Sequence, residues 1–264
     1  MKKNTTIGLA LSGGGARGIA HIGVIKALQE NDIFPDIITG ASAGSIIGAL
    51  LADGKTVDEM LSFVRDSSIL KIWKVGLPNR GITSLAYLKE RLSAYLVEDS
   101  FESLETPLYV ATTNLNAGQC EMFHSGPLID AIVASSSIPL VFKPVEINGN
   151  LYVDGGVLDN LPISPLLEQK VDLIIGVNVM PHVAVNSKNL QGVIGVANRC
   201  FDLSVLANTL PSLKHCDIII EPEAVNDYNI FNFSKVDDLY EIGYNEAQKA
   251  LPALKRALAQ TLSS

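Results

Sequence analysis

The chain has 264 residues, 47% of them hydrophobic and 18% charged, and a net charge of -8. That length suits one domain with a sizeable core, and the acidity argues against nucleic acid as a general partner. The longest weakly polar stretch, residues 37–52, contains Thr39, Ser42 and Ser45 and falls short of the roughly 20 apolar residues that a membrane span needs.

The first predicted strand is the apolar run Ile7 to Leu11. Lys2 and Lys3 ahead of it faintly mimic a secretion signal. The run is too short for one and passes straight into glycines, so the start reads as mature protein. Gly13-Gly14-Gly15-Ala16-Arg17-Gly18 follows and opens a helix predicted over 18–30, with Ile22, Ile25 and Leu28 on one face. Consecutive glycines let backbone N–H groups converge on one point, which at a helix N-terminus suits an oxyanion. A second strand over 37–39 runs into Gly40-Ala41-Ser42-Ala43-Gly44, and a small, apolar helix is predicted over 43–51. The string reads G-x-S-x-G. A serine on so sharp a strand-to-helix turn has its Oγ exposed above the helix N-terminus. Acyl transfer needs a nucleophile and an oxyanion hole, and this stretch offers both.

After a helix predicted over 57–65, residues 67–81 lack periodicity. Between Arg65 and Arg91 there are six basic and two acidic residues, a local charge of +4. Trp73, the only tryptophan, sits there between Lys71 and Lys74. The segment is either a solvated loop with one anchoring aromatic or a lipid-facing lid, since an aromatic flanked by lysines suits an anionic lipid surface.

Further elements are a helix over 85–96, a strand over 108–112, a short strand ending at Glu121-Met122-Phe123 and a helix over 127–134. Asn148-Gly149 is a hairpin turn signal between strands 145–147 and 151–153. Asp154-Gly155-Gly156 therefore places an aspartate at a strand end. Helices follow over 162–169, 192–210 and 236–262, with strands over 173–179 and 218–220. The run 171–179 is close to continuously apolar, as in a strand covered on both faces. Pro252 is expected to bend or interrupt the last helix. The alternation predicts a three-layer α/β/α sandwich with a largely parallel central sheet, whose ligand sites lie at the carboxyl ends of strands.

In this order, G-G-G-A-R-G at Gly13 to Gly18, G-A-S-A-G at Gly40 to Gly44 and D-G-G at Asp154 to Gly156 resemble the patatin-like phospholipase family, in particular its compact bacterial members. Ser135-Ser136-Ser137-Ile138-Pro139 and Asp159-Asn160-Leu161-Pro162 resemble the family's segments before and after the aspartate. The likeness covers roughly residues 5–180 of a chain read as a single domain, 1–264. Ala41 stands where the family commonly has threonine, and Asn114 where it often has aspartate. The resemblance implies a patatin-like sandwich and a Ser-Asp dyad, with Ser42 as nucleophile and Asp154 as base. Gly14 and Gly15, with Gly13, would form the oxyanion hole. Arg17 is assigned either to a head group or to bracing the loop. The implied substrate is a lipid or fatty-acyl ester, with no cofactor and no metal.

Other readings stay open beside it. Ser42, Asp154 and then His182 or His215 run in the chain order of an α/β-hydrolase triad. A non-catalytic binding or regulatory module is a third class. Gly13, Gly15 and Gly18 also satisfy the dinucleotide fingerprint, but the second strand ends without the acidic residue that a ribose requires. Cys120, Cys200 and Cys216 form no C-x-x-C pair and suit reduced thiols in a cytoplasmic protein, one that makes peripheral contact with the inner membrane surface if the lid reading holds.

Overall fold

The computed structural model describes residues 5–65, 85–185, 190 and 192–261. Among them, eight strands form one sheet: β1 (Ile7–Leu11), β2 (Ile37–Ala41), β3 (Leu108–Asn114), β4 (Gln119–Phe123), β5 (Val145–Ile147), β6 (Asn150–Asp154), β7 (Leu173–Val177) and β8 (Ile218–Ile220). Their order is β5-β6-β3-β2-β1-β7-β8, with β4 paired to β3. The run from β3 through β2, β1 and β7 to β8 is parallel, whereas β4, β5 and β6 pair antiparallel. The helices are α1 (Ala20–Gln29), α2 (Ala43–Ala52), α3 (Val57–Arg65), α4 (Ala86–Tyr95), α5 (Leu128–Ser135), α6 (Ser164–Glu168), α7 (Gly192–Leu213) and α8 (Val236–Thr261). They cover both faces of the sheet, so the architecture is the expected α/β/α sandwich. No described helix is long and apolar enough to cross a membrane.

β1 and β7, at the centre of the parallel run, are apolar throughout because both faces are covered, but the two faces differ in side-chain size. Ile7, Leu9 and Leu11 of β1 join the main core, which takes in side chains of α1, α2, α3, α4, α5 and α8. Ala10 faces a smaller cluster with Leu161, Ile163, Leu166 and Ile174. On that side Gly8 lies under α6, where an added Cβ would stand 2.9 Å from Leu166. The long α8 crosses α1 at backbone contact. A Cβ at Gly23 would sit 2.0 Å from the Tyr240 carbonyl oxygen, and one at Gly243 would sit 2.0 Å from that of Ala20. Pro252 does not interrupt the last helix: α8 runs from Val236 to Thr261 through it. Buried Leu239, Ala247, Leu251 and Leu254 hold it down on both sides of that residue, outweighing the one backbone bond a proline removes.

Three aspartates secure the amino ends of the parallel strands. Asp36, just before β2, accepts from the Ile7 N–H at 2.7 Å; Asp172, before β7, from Thr6 at 2.9 Å; Asp217, before β8, from Ile174 at 2.8 Å. Each ties its strand to the neighbouring one.

On the β5–β6 hairpin Asn148 and Gly149 have φ of 51° and 81°, the left-handed pair that a two-residue I′ turn requires. The hairpin sets β6 against β3 in a register that matters for the site. β2 occupies Leu108 to Ala111 of β3, and β6 occupies Thr112 to Asn114, while β4 runs across both from Val110 to Asn114. β2 and β6 therefore meet end to end on one edge of β3. Asn114 closes the β3–β4 turn, accepting from the N–H groups of Asn116 and Ala117 and donating to Glu121 at 3.0 Å. An aspartate there would keep the two acceptances and lose the donation.

Candidate active site

β2 ends at Ala41 and α2 begins at Ala43, which leaves Ser42 to make the whole turn. Its backbone is at φ 50°, ψ -123°, a left-handed conformation that costs on the order of 1–3 kcal/mol outside glycine. Hydrogen bonds hold it from both sides. The Ser42 N–H donates to Ser135 Oγ at 2.8 Å, and the Ser42 carbonyl accepts from Ser45 Oγ at 2.7 Å and Ser45 N at 2.9 Å. Glycine is needed on either side of the turn because the backbone doubles back. A Cβ at Gly40 would meet the Gly44 oxygen at 2.5 Å, and one at Gly44 would meet the Leu11 oxygen at 2.2 Å.

Ser42 Oγ donates to Asp154 Oδ2 at 2.7 Å, while the other carboxylate oxygen accepts from the Gly156 N–H at 2.8 Å. Asp154 is fixed through its backbone as well, its N–H donating to the Ser137 carbonyl and its carbonyl accepting from Thr113 Oγ1. The side chain is buried. Desolvation pushes its carboxyl up to about 7, although the bonds from Ser42 and Gly156 favour the charged form. The group can thus gain and lose a proton near neutrality, at hydrogen-bond distance from a serine hydroxyl.

The glycine-rich loop lies against this pair. Gly13 passes so close that a Cβ on it would stand 2.6 Å from Asn160 Oδ1 and 3.1 Å from the Ser42 Cβ. The Gly13 N–H donates to the Asn160 carbonyl at 3.2 Å. The N–H groups of Gly14 and Gly15 have no partner among the described residues. The Arg17 guanidinium is engaged within the protein: Nε donates to the Tyr228 carbonyl at 2.9 Å, and Nη1 donates to Asn226 Oδ1 at 3.3 Å and lies 3.6 Å from Met180 Sδ. These contacts tie the loop to the segment after β8. Burial lowers the Arg17 pKa, partly offset by Asp202.

Ser42 borders two clefts. One is almost wholly apolar, with Ile19, Ile46, Phe63, Leu88 and Phe233 in its wall. The other is lined by Gly13, Gly14 and Gly15, with Asp154, Asn160 and side chains of α7 including Phe201 and Asp202. Among the described residues, no histidine lines either cleft. His21 is fully buried, donates from Nε2 to the Ser12 carbonyl at 2.8 Å, and is driven down to about 4 by desolvation. His124 stacks on Tyr109, and His182 and His215 are exposed. Lys71, Trp73 and Lys74 lie outside the described residues; Val64 and Leu85, which bracket that stretch in sequence, both line the apolar cleft.

Two supporting residues carried little signal in the sequence. Ser135 stood out only as part of a serine-rich string, yet its hydroxyl holds the elbow. Asn160 stood out only within D-N-L-P, yet it joins three parts. Its carbonyl takes the Gly13 N–H, its own N–H donates to Asn208 of α7 at 2.9 Å, and its Nδ2 donates to Thr209 Oγ1 at 3.2 Å.

A family model described as Patatin-like phospholipase matches residues 9–167. An NTE family protein of Mycobacterium bovis is 36% identical over 176 residues, 66% of this chain and 49% of its own length. The lysophospholipase nte1 of Aspergillus niger is 30% identical over 282 residues, 95% of this chain and 18% of its own. The chain thus spans about half the first relative and under a fifth of the second. Among solved structures, VipD from Legionella pneumophila superposes with a TM-score of 0.53 at 17% identity, over 95% of this chain and 67% of that one, a likeness of fold.

Proposed function

The chain belongs to the patatin-like phospholipase family, and from that premise we propose that it is a serine lipid acyl hydrolase working through Ser42 and Asp154. The observation that carries this reading is the 2.7 Å hydrogen bond from Ser42 Oγ to the buried Asp154 carboxylate. The acyl chain lies in the apolar cleft and the alcohol portion in the other, with the ester carbonyl at Ser42. Ser42 Oγ attacks the carbonyl carbon as its proton passes to Asp154 Oδ2. The oxyanion is held by the N–H groups of Gly14 and Gly15. Gly13 serves the hole through its bond to Asn160, which sets the loop's position, and Arg17 braces the loop from behind. Collapse of the tetrahedral species expels the alcohol, which takes the proton from Asp154. Water then gives its proton to Asp154 and attacks the acyl-serine; the acid is released and Ser42 recovers its hydrogen. Residues 1–264 act in this as one unit.

The name of the Aspergillus relative, a lysophospholipase, suggests a lysophospholipid as the first acyl donor to try. A fluorophosphonate probe followed by peptide mapping should label Ser42 and no other serine. A lipid-class hydrolysis screen, with the Ser42→Ala protein as blank, should show one or more acyl esters cleaved. Folded protein that takes no label and cleaves no ester would overturn the reading.

A further inference from the structure

Helix α7 is apolar on its outer side as well as its inner one. Inward it buries Val205 and packs Phe201 against the core, and polar groups tie it to the site. Asn208 Nδ2 donates to the carbonyls of Gly156 and Val157 at 3.0 and 3.2 Å, Ser204 Oγ donates to Val157 at 2.7 Å, and Asn208 and Thr209 accept from Asn160. Its outer side carries Val193, Val196, Cys200, Leu203, Ala207 and Leu210, spaced alternately by three and four residues, and every one of them is exposed. Val193 is 87% exposed. Such spacing makes one apolar stripe down the helix. A surface helix ordinarily turns that stripe inward; here no described residue covers it.

The apolar surface extends beyond the helix. Arg199 Nη2 donates to the Val183 carbonyl, which sets exposed Val183 beside the first half of the stripe. The Ser204–Val157 bond sets exposed Leu158 beside the second half. The stripe itself holds no acidic side chain. A helix partner would need only a narrow seam, usually flanked by charges that fix its register. The flanking positions here are Ala197, Ser204 and Pro211 on one side and Arg199, Leu206 and Leu213 on the other, with one charge among them. A broad, nearly uncharged apolar face suits a lipid surface better. The opposite side of the same helix lines the cleft beside Ser42, so one helix diameter, about 10 Å, separates that face from the cleft.

We propose that the outer face of α7 is where this protein seats on a lipid–water interface, with Val193, Val196, Leu203 and Leu210 entering the head-group layer. The inference leans on the acyl-hydrolase reading for the identity of the occupant, and its test does not depend on hydrolysis.

Flotation of the Ser42→Ala protein with phosphatidylcholine vesicles provides that test. The protein should float with the vesicles, and should do so equally in high salt, because apolar contact is not screened. Adding Val196→Glu and Leu203→Glu, both at exposed positions, should cut the bound fraction at least tenfold. On the Ser42-intact chain the same pair should lower kcat/KM on vesicle-borne ester about tenfold and leave the rate on a short soluble ester within twofold. A parent protein that does not float would overturn the proposal, as would equal flotation of parent and variant. So would a dimer in sedimentation that the pair converts to monomer, which would assign the stripe to a second copy of the chain. Flotation without hydrolysis of any ester by the intact chain would instead remove the hydrolase reading and leave the docking face standing.

Discussion

Asp154 stands on the rung of β3 next to the one that Ala41 occupies: Asp154 pairs with Thr112 and Ala41 with Ala111. The parallel β2 and the antiparallel β6 run toward each other along one edge of β3. Where they meet, the residue after Ala41 and the last residue of β6 face one another. The contact between Ser42 and Asp154 is thus a product of strand register, made before any side-chain adjustment.

Activity should rise with pH through about 7. Only the carboxylate form of Asp154 can take the Ser42 proton, and burial places its titration there. The kcat/KM profile on a soluble ester checks this; a midpoint near 4 would mean the working base is an ordinary exposed carboxylate. Asp154→Asn should lose at least about a hundredfold in rate and show no such step.

The same substitution should stabilise the fold at neutral pH. Asp154 has its folded pKa raised from the usual carboxylate value to about 7. Between those values the folded state binds more protons than the unfolded chain, so stability falls as pH rises through the window. An asparagine carries no charge to bury. The Tm of Asp154→Asn relative to the parent should therefore climb between pH 4 and pH 8; a gap constant across that range would contradict it.

Ser135→Ala should cost about 1–3 kcal/mol, because it strips the acceptor from the buried Ser42 N–H. Urea unfolding reads the cost. Fluorophosphonate labelling of Ser42 should slow in parallel, since the strained elbow loses one of its ties. A variant as stable as the parent would mean that the amide finds another partner.

Single alanine substitutions at His124, His182 and His215 should each leave esterase activity within about threefold, an expectation from their placement outside both clefts and from the modest effect of surface changes. His21→Ala should lower Tm, because it empties a fully buried site under the Ser12 carbonyl. Collapse of activity in His182→Ala or His215→Ala, with the fold intact, would reinstate a triad.

The strands and the glycine strings were legible because each is a local matter. Short apolar runs, a Gly-rich turn and an Asn-Gly pair announce themselves within a few positions. Boundaries moved by a few residues where tertiary contacts decide them: β3 reaches Asn114 because β4 and β6 pair there, and α7 reaches Leu213 although Pro211 lies inside it. The end-to-end meeting of β2 and β6 was not legible, since it rests on pairings between segments far apart in the chain. Ser135 and Asn160 left little trace for a similar reason. Ser135 acts through its hydroxyl and Asn160 through its main chain and one side-chain nitrogen, and a lone serine or asparagine has many ordinary uses.

Asp36, Asp172 and Asp217 sit at the end of the sheet farthest from the site, yet they bear on whether it forms. Each finds its amide in only one alignment of neighbouring strands. A slip of one residue would turn core side chains to the opposite face, leave a carboxylate without its amide, and shift Gly14 or Ser42 by about 3.3 Å, one residue's rise. The three carboxylates thereby proofread strand alignment at one edge of the molecule on behalf of chemistry at the other.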